Sequence, residues 1–440
     1  MGCVVRTTTQ RRSPITAPLE LVGKARYFVI ERFRKRKKSP NLTKFQVSSA
    51  IPVSGEHVDE LSAGLSSEGH CQELVALRGL SAQRALELMQ ELLDDGPVWR
   101  SFSVGSSLEN RRRIYDSMLY LSRCSQQMPS SIFVTVQRIP ADMPKCGGLN
   151  SDIYLGVYSG KTVAVRRIRS HQWQTDSAGW EATKARLFYE CLKWRQLRHP
   201  NVLPLFGIDT SFPNTPALIQ PWLENGNIRQ YMSRLERKPE VSVLIQWLID
   251  IARGMAYLHE LNIPHGDLRG SNVLISDDKV AQVADVVLFP FREEWTIGIK
   301  PQDGTKRWMA PEFSDSMPPS YSADIYAFGS VSVEVFTGEV PFPESMDLYA
   351  GMKIQYGQIP AKPNAMPDGL WLLTIACWHL DPSDFPRADV VALAGASMKS
   401  REKFHGIVIS TNLYSDNNNR IYVLQGITER KYCHKTSPEK

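Results

Sequence analysis

The 440-residue chain has no uninterrupted apolar run long enough to cross a bilayer. The longest, near Leu370 to Trp378, is about ten residues, where a spanning helix needs ~20. No transmembrane helix is therefore expected, and no secretory signal is read at the start. Cysteines are few: seven in all (Cys3, Cys71, Cys124, Cys146, Cys191, Cys377 and Cys433), with no metal-clip spacing. An odd, scattered set argues against a disulfide framework and for free thiols in a reducing compartment. An excess of positive charge is also missing from most of the chain. Residues 1–45 hold twelve Lys and Arg against Glu20 and Glu31, a net +10 that leaves −4 for everything after them. The formal +6 thus belongs to a tail, and a nucleic-acid-binding core is not expected.

What is present suffices for more than one core, with 42% hydrophobic and 22% charged residues. Residues 1–70 are rich in Ser, Thr, Pro and basic side chains and read as a disordered basic tail. Residues 71–130 read as a helical accessory segment. Leu77, Leu80, Ala85, Leu86, Leu88, Met89, Leu92 and Leu93 recur at helical spacing, as do Ile114, Met118, Leu119 and Leu121. From Ile132 the pattern turns to short strands. Segments 153–158 and 162–166 flank Ser159-Gly160-Lys161, a hairpin signal. Helix is expected over 181–197, strand over 201–207 and 217–219, and mainly helix after Glu224, with clear runs at 246–259 and 323–337. Residues 401–440 stay open between a hairpin, from 407–409 and 421–424, and an extension without structure.

The most informative stretch is His265-Gly266-Asp267-Leu268-Arg269-Gly270-Ser271-Asn272, followed at once by Val273-Leu274-Ile275. An Asp that can accept a hydroxyl proton, with an Asn five residues on that can hold a metal ion, is what a phosphoryl-transfer loop requires. Asp285, between apolar Ala284 and Val286, is a second candidate metal ligand. Gly304-Thr305-Lys306-Arg307-Trp308-Met309-Ala310-Pro311-Glu312 follows, then Ser322-Ala323-Asp324-Ile325-Tyr326-Ala327-Phe328-Gly329. Singly, such Asp and Asn residues are most often turn formers or caps. The ordered set is specific. Over roughly residues 140–395 it resembles the protein kinase family, and within it the tyrosine-kinase-like (Ser/Thr) branch. The resemblance implies an α+β, bilobal protein-kinase-like fold over residues 131–400. Its small β-rich N-lobe would span about 131–220 and its larger helical C-lobe about 221–400, with a helical extension in front.

The resemblance also implies roles, and ATP with Mg²⁺ as cofactors. Asp267 would orient the attacking hydroxyl and take its proton, and Arg269, in place of a more usual Lys, would neutralise the transferring phosphoryl group. Thr305 would steady Asp267 and marks Ser/Thr chemistry. Asn272 and Asp285 would hold the metal, and Asp324 would anchor the loop from beneath. Gly148 would approach the phosphates, and Ile153, Ala164 and Leu274 would sandwich the purine. Gln220 falls at the gatekeeper position and Trp222 in the hinge. Arg166, paired with Glu190, would hold the α and β phosphates.

Four positions depart from the family pattern. Arg166 replaces a Lys, and its forked, planar head shifts phosphate placement. Only Gly148 remains of three expected glycines, Cys146 and Ser151 taking the other two places, so close backbone approach is harder. Asp285-Val286-Val287 replaces Asp-Phe-Gly. Gly266 replaces an Arg that reads a phosphorylated loop. In addition, the expected partner slot of Glu312 holds Phe385, with Arg387 two residues on.

Two functions therefore stand: a protein Ser/Thr kinase of attenuated activity, or a pseudokinase serving as a binding or scaffold module. A small-molecule kinase of the aminoglycoside or choline type shares His265-Gly266-Asp267, but that type lacks the 304–312 segment and the Asp324 anchor. The implied partner is a protein, substrate or binder, with no nucleic acid at the folded core. Met1-Gly2-Cys3 looks like a start for acylation, but Arg6 stands where Ser or Thr is wanted. The basic tract from Arg32 to Lys38 suits nuclear import or an anionic lipid surface. Cytoplasmic localisation is the expectation, with nuclear or peripheral-membrane placement as alternatives.

Overall fold

The computed structural model describes residues 77–94, 104–139, 143–147, 151–168, 177–212, 215–286, 306–311, 320–378, 407–415 and 421–429. They fall into two compact units. One comprises the described residues up to Phe133 together with Lys184–Gln196; the other comprises Val134–Thr183 and Leu197 onward. The expected tail at 1–70 lies outside the described residues.

In the first unit, α1 (Gly79–Asp94) and α2 (Val104–Ser125) are the two helices that the apolar spacing predicts. Helix α3 (Ser177–Arg195) contributes its second half. The buried stripe Ala82, Ala85, Leu86, Met89, Leu92 and Leu93 on α1 follows the 3.6-residue period. Ile114, Met118 and Leu121 on α2 are likewise buried, as are Leu187, Cys191, Leu192 and Trp194 on α3. Polar contacts fix the register of α1 against the end of α3. The buried amides of Gln90 and Gln196 exchange hydrogen bonds of 3.2 and 2.6 Å. One turn on, Arg195 makes a forked pair with Asp94 at 3.0 and 3.1 Å, the planar geometry that suits a guanidinium.

The second unit opens with a six-stranded antiparallel sheet. Its order is β1 (Gln137–Arg138), β3 (Ser151–Tyr158), β4 (Lys161–Ile168), β6 (Ala217–Pro221) and β5 (Gly207–Asp209), with β2 (Cys146–Gly147) also on β3. Tyr158 pairs with Lys161, so the β3–β4 turn has two residues. Ser159 and Gly160 both take positive φ, 49° and 75°, the geometry that matches strand twist in tight hairpins. Alternation then sorts the side chains. Val163, Val165, Ala217 and Ile219 share an apolar cluster with Val136 on one face. Ile153, Ala164, Arg166, Leu218 and Gln220 share the other face by register. A Cβ at Gly156 would come within 2.4 Å of Val136, so close backbone packing there requires glycine.

The strand expected over 201–207 is short. Only β5 (Gly207–Asp209) joins the sheet, while Val202 and Leu203 reach instead to Val283. Asn201 and Leu203 exchange main-chain hydrogen bonds with Val283, a choice of partner that composition alone does not carry.

The remainder is mainly helical: α4 (Ile228–Arg234), α5 (Val241–Glu260), α6 (Tyr321–Thr337), α7 (Asp347–Gln355) and α8 (Asp368–Ala376), with a small ribbon of β7 (Val273–Ile275) and β8 (Ala281–Val283). Helix α5 is, by length and composition, apolar enough to cross a membrane. Its Leu244, Trp247, Leu248, Ile251 and Met255 are instead buried in the core shared with β7, β8 and α6. Helix α6 starts on an Ser320 cap, whose Oγ accepts from Ala323 N–H at 3.1 Å, and stops at Gly338 with φ 80°. Farther on, β9 (Ile407–Ser415) and β10 (Ile421–Glu429) pair as an antiparallel hairpin.

The Gln90–Gln196 pair sets a test of the first unit. Gln90→Leu strands a buried amide and should cost about 1–3 kcal/mol in chemical denaturation. Gln90→Leu with Gln196→Leu should recover most of that loss.

Candidate active site

The start of the loop between α5 and β7 is held from below by a buried carboxylate. Asp324 of α6, 1% exposed, accepts the backbone N–H groups of His265 and Gly266 at 2.7 Å each. His259 Nε2 lies 2.8 Å from the same carboxylate. Both loop donors point inward, where water could not satisfy them. Gly266 takes φ 78°, so a glycine there answers a backbone demand that an Arg would meet only with strain.

His265, fully buried, ties this loop to the next segment. Its Nδ1 accepts from Asp267 N–H at 3.1 Å, so Nε2 carries the proton and donates to Ala284 O at 2.7 Å. Ala284 N–H in turn donates to Asn272 O at 2.8 Å. Two crossing hydrogen bonds thereby place Asp285 beside the loop. Asn272 Nδ2 donates to Asp267 twice, to its carbonyl at 2.8 Å and its carboxylate at 3.1 Å. Arg269 Nε stands 3.5 Å from the other carboxylate oxygen. Asp267, Arg269 and Asn272 are thus one cluster, and Asp267 is aimed by its neighbours.

A second carboxylate on α6 was not singled out by sequence. Glu334, fully buried, accepts from Gly270 N–H at 2.8 Å and from Trp308 Nε1 at 2.9 Å, with Arg229 at 3.5 Å from its other oxygen. It joins the loop to the 306–308 turn. A Cβ at Gly270 would come within 2.5 Å of this carboxyl, which explains a glycine where many residues would suit the backbone. Burial raises Glu334 from 4.5 to about 7, opposed by these hydrogen bonds and by Arg229. The signal in the sequence is a lone acid inside Val331-Ser332-Val333-Glu334-Val335-Phe336. Arg307, also buried, donates to the carbonyls of Pro341, Phe342 and Ser345. Beside Asp267 lies a shallow pocket lined by Leu268, Trp308, Met309, Ala310, Ala323 and Ala327.

Arg166 reaches the same place from β4. Its Nε donates to Ser151 Oγ at 2.9 Å and its Nη1 pairs with the Asp285 carboxylate. Burial lowers Arg166 to about 10, with Arg269 acting in the same sense and Asp267 opposing, so the guanidinium stays charged at neutral pH. Arg167, on the other strand face, bonds Thr215 Oγ1 at 3.1 Å. Within the first unit, Glu190 takes Lys193 at 2.8 and 2.9 Å, one turn away on α3.

On the sheet face that carries Arg166, Ala164 is buried and Ile153 partly so. Leu274 is brought up by a bridge to Asn227, whose own side chain caps α4 through Gln230. Gln220 Nε2 and Trp222 Nε1 are buried without a hydrogen-bond partner among the described residues. Apolar walls with orphaned donors at the edge fit a flat, polar-edged ring such as a purine. The metal fits less well. Among the described residues no group of three or more His, Cys, Asp or Glu could hold a cation. Of the two expected donors, Asp285 already faces a guanidinium. Gly148 and Thr305 lie outside the described residues, as do Val287, Glu312, Phe385 and Arg387.

These features belong to a known family. A family model described as protein tyrosine and serine/threonine kinase matches residues 147–393, and the chain is a member of that family, with its α+β fold. Among similar proteins, the serine/threonine-protein kinase STY46 of Arabidopsis thaliana is 28% identical over 240 residues, 54% of this chain and 40% of that protein. The serine/threonine/tyrosine-protein kinase HT1 of the same plant is 29% identical over 243 residues, 54% and 61% respectively. Mitogen-activated protein kinase kinase kinase 12 of Rattus norvegicus is 28% identical over 294 residues, 66% and 29%. The chain thus spans 29 to 61% of the length of these relatives. Proteins of this family generally use ATP and Mg²⁺.

The raised Glu334 carboxyl gives a pH test. The native state holds its proton more tightly than the unfolded chain, so its contribution to stability is complete below about 4.5 and is lost as pH rises through about 7. Glu334→Gln should remove that decline between pH 4.5 and 7 in thermal unfolding, and wild type should retain it.

Proposed function

We propose that the chain is an ATP-binding protein kinase domain that transfers phosphate to Ser or Thr hydroxyls of proteins at an attenuated rate. The observation that carries this reading is the Asp267–Arg269–Asn272 cluster, set on a loop pinned by Asp324. The printed names of the relatives, serine/threonine kinases among them, support the acceptor. Bound nucleotide supplies the phosphoryl group. The chain's own part is to aim and deprotonate the hydroxyl at Asp267, with Arg269 beside it as positive charge for the phosphoryl oxygens. Ile153, Ala164 and Leu274 wall the base, and Gln220 and Trp222 offer donors at its edge. The proposed kinase region is 131–400, in a cytoplasmic protein that acts on, or binds, another protein.

A second reading, a pseudokinase that binds partners, is favoured by one observation. Arg166 is paired with Asp285, one of the two expected metal ligands. The two readings differ in turnover. With a Ser/Thr peptide library and radiolabelled ATP, wild type should show weak transfer onto Ser and Thr, and Asp267→Asn should lose it by about 100-fold or more. Equal label from wild type and Asp267→Asn would refute the kinase reading; no label from either would leave the pseudokinase.

A further inference from the structure

The Asp285 carboxylate is fixed from three sides. Ala284 is bonded to Asn272 and to His265, Asp285 itself takes φ 62°, a region uncommon for residues other than glycine, and Arg166 closes on its side chain. Both side chains of that pair are about 15% exposed, at 15% and 16%. A divalent ion on the same oxygen would stand within a few ångströms of the guanidinium. Little water is present to screen that repulsion. Mg²⁺ also requires a near-octahedral oxygen shell and sheds water reluctantly, whereas the guanidinium is already seated by Ser151 on one side. The second expected donor, Asn272, gives its amide N–H to Asp267, and its Oδ1 lies 3.5 Å from Ser271 Oγ.

A guanidinium carries five N–H donors, more than Ser151 and Asp285 take up. Donors in a rigid fork match phosphate oxygens in pairs. Arg166 shares its sheet face with Ala164 and Gln220, the residues assigned above to the base. A nucleotide whose base lies on Ala164 therefore runs its phosphates toward Arg166.

We propose that the site formed by Ala164, Gln220, Arg166 and Asp285 takes an adenine nucleotide without a divalent cation, the Arg166 guanidinium standing where a metal ion would sit and meeting the phosphates directly. The inference rests on the nucleotide reading given under the proposed function, and the experiment separates the two. Thermal unfolding of the full chain is followed with ATP in EDTA, with ATP in MgCl₂, and with MnCl₂ alone. In wild type the ATP-induced rise should be the same in EDTA and MgCl₂, and Mn²⁺ alone should produce none. Arg166→Lys, with a compact ammonium in place of the fork, should bind ATP at least tenfold more tightly in MgCl₂ than in EDTA. A wild-type rise that needs MgCl₂, or a rise with Mn²⁺ alone, overturns the inference and leaves nucleotide binding intact. No rise with ATP in either buffer overturns nucleotide binding and this inference with it. If Arg166→Lys fails to fold, the wild-type comparison decides alone.

Discussion

Backbone N–H groups that turn inward must find an acceptor, and around residues 265–270 that acceptor is helix α6. Asp324 takes two of them, Glu334 takes the one from Gly270, and both carboxylates are buried. A buried carboxylate is costly unless its lone pairs are used. These are used on the loop, so loop and helix hold each other in one arrangement. Everything nearer the chemistry follows from it. His265 is set by its own backbone and reaches Ala284, Ala284 places Asp285, and Asn272 aims Asp267. Loss of the carboxylates would release the loop without touching the residues that carry charge in the cleft.

Charge within the cleft is balanced internally. Arg269 faces Asp267 and Arg166 faces Asp285, so each acid already has a cation near it. In such an arrangement a further cation gains little, because each acid is already neutralised by its neighbour. The same Arg that weakens the resemblance to an active kinase gives the cleft its distinct character. Lys193 holds Glu190 on α3, so that acid is not idle either. The end of α3 is fixed within the first unit by Gln90 and Asp94. Residues 71–130 therefore do more than precede the kinase region: α1 determines where the last turn of α3 lies.

Much of this was legible in the sequence because it depends on periodicity and on spacing. The 3.6-residue stripes of α1 and α2, the Ser159-Gly160 turn and the spacing from His265 to Asn272 are local, and local patterns survive in one dimension. What depends on which distant group comes near was not legible. Glu334 looked like part of an apolar helix until Gly270 and Trp308 were placed over it. Gly266 read as a missing Arg, whereas its positive φ is a demand of the backbone. Residues 201–206 have strand composition, but Asn201 and Leu203 pair with Val283 of β8. The resemblance assigns Glu190 to Arg166; the close approach of Arg166 to Asp285 is set by the fold and is not a local pattern.

The central claim is that Asp324 fixes the loop through the amides of His265 and Gly266, and amide hydrogen exchange measures it directly. In wild type those two amides should be among the slowly exchanging ones. In Asp324→Ala they should exchange faster by about 10-fold or more, each having lost a hydrogen bond to a charged acceptor, while amides of the β3–β4 hairpin keep their rates. Unchanged exchange at His265 and Gly266 in Asp324→Ala would contradict the account.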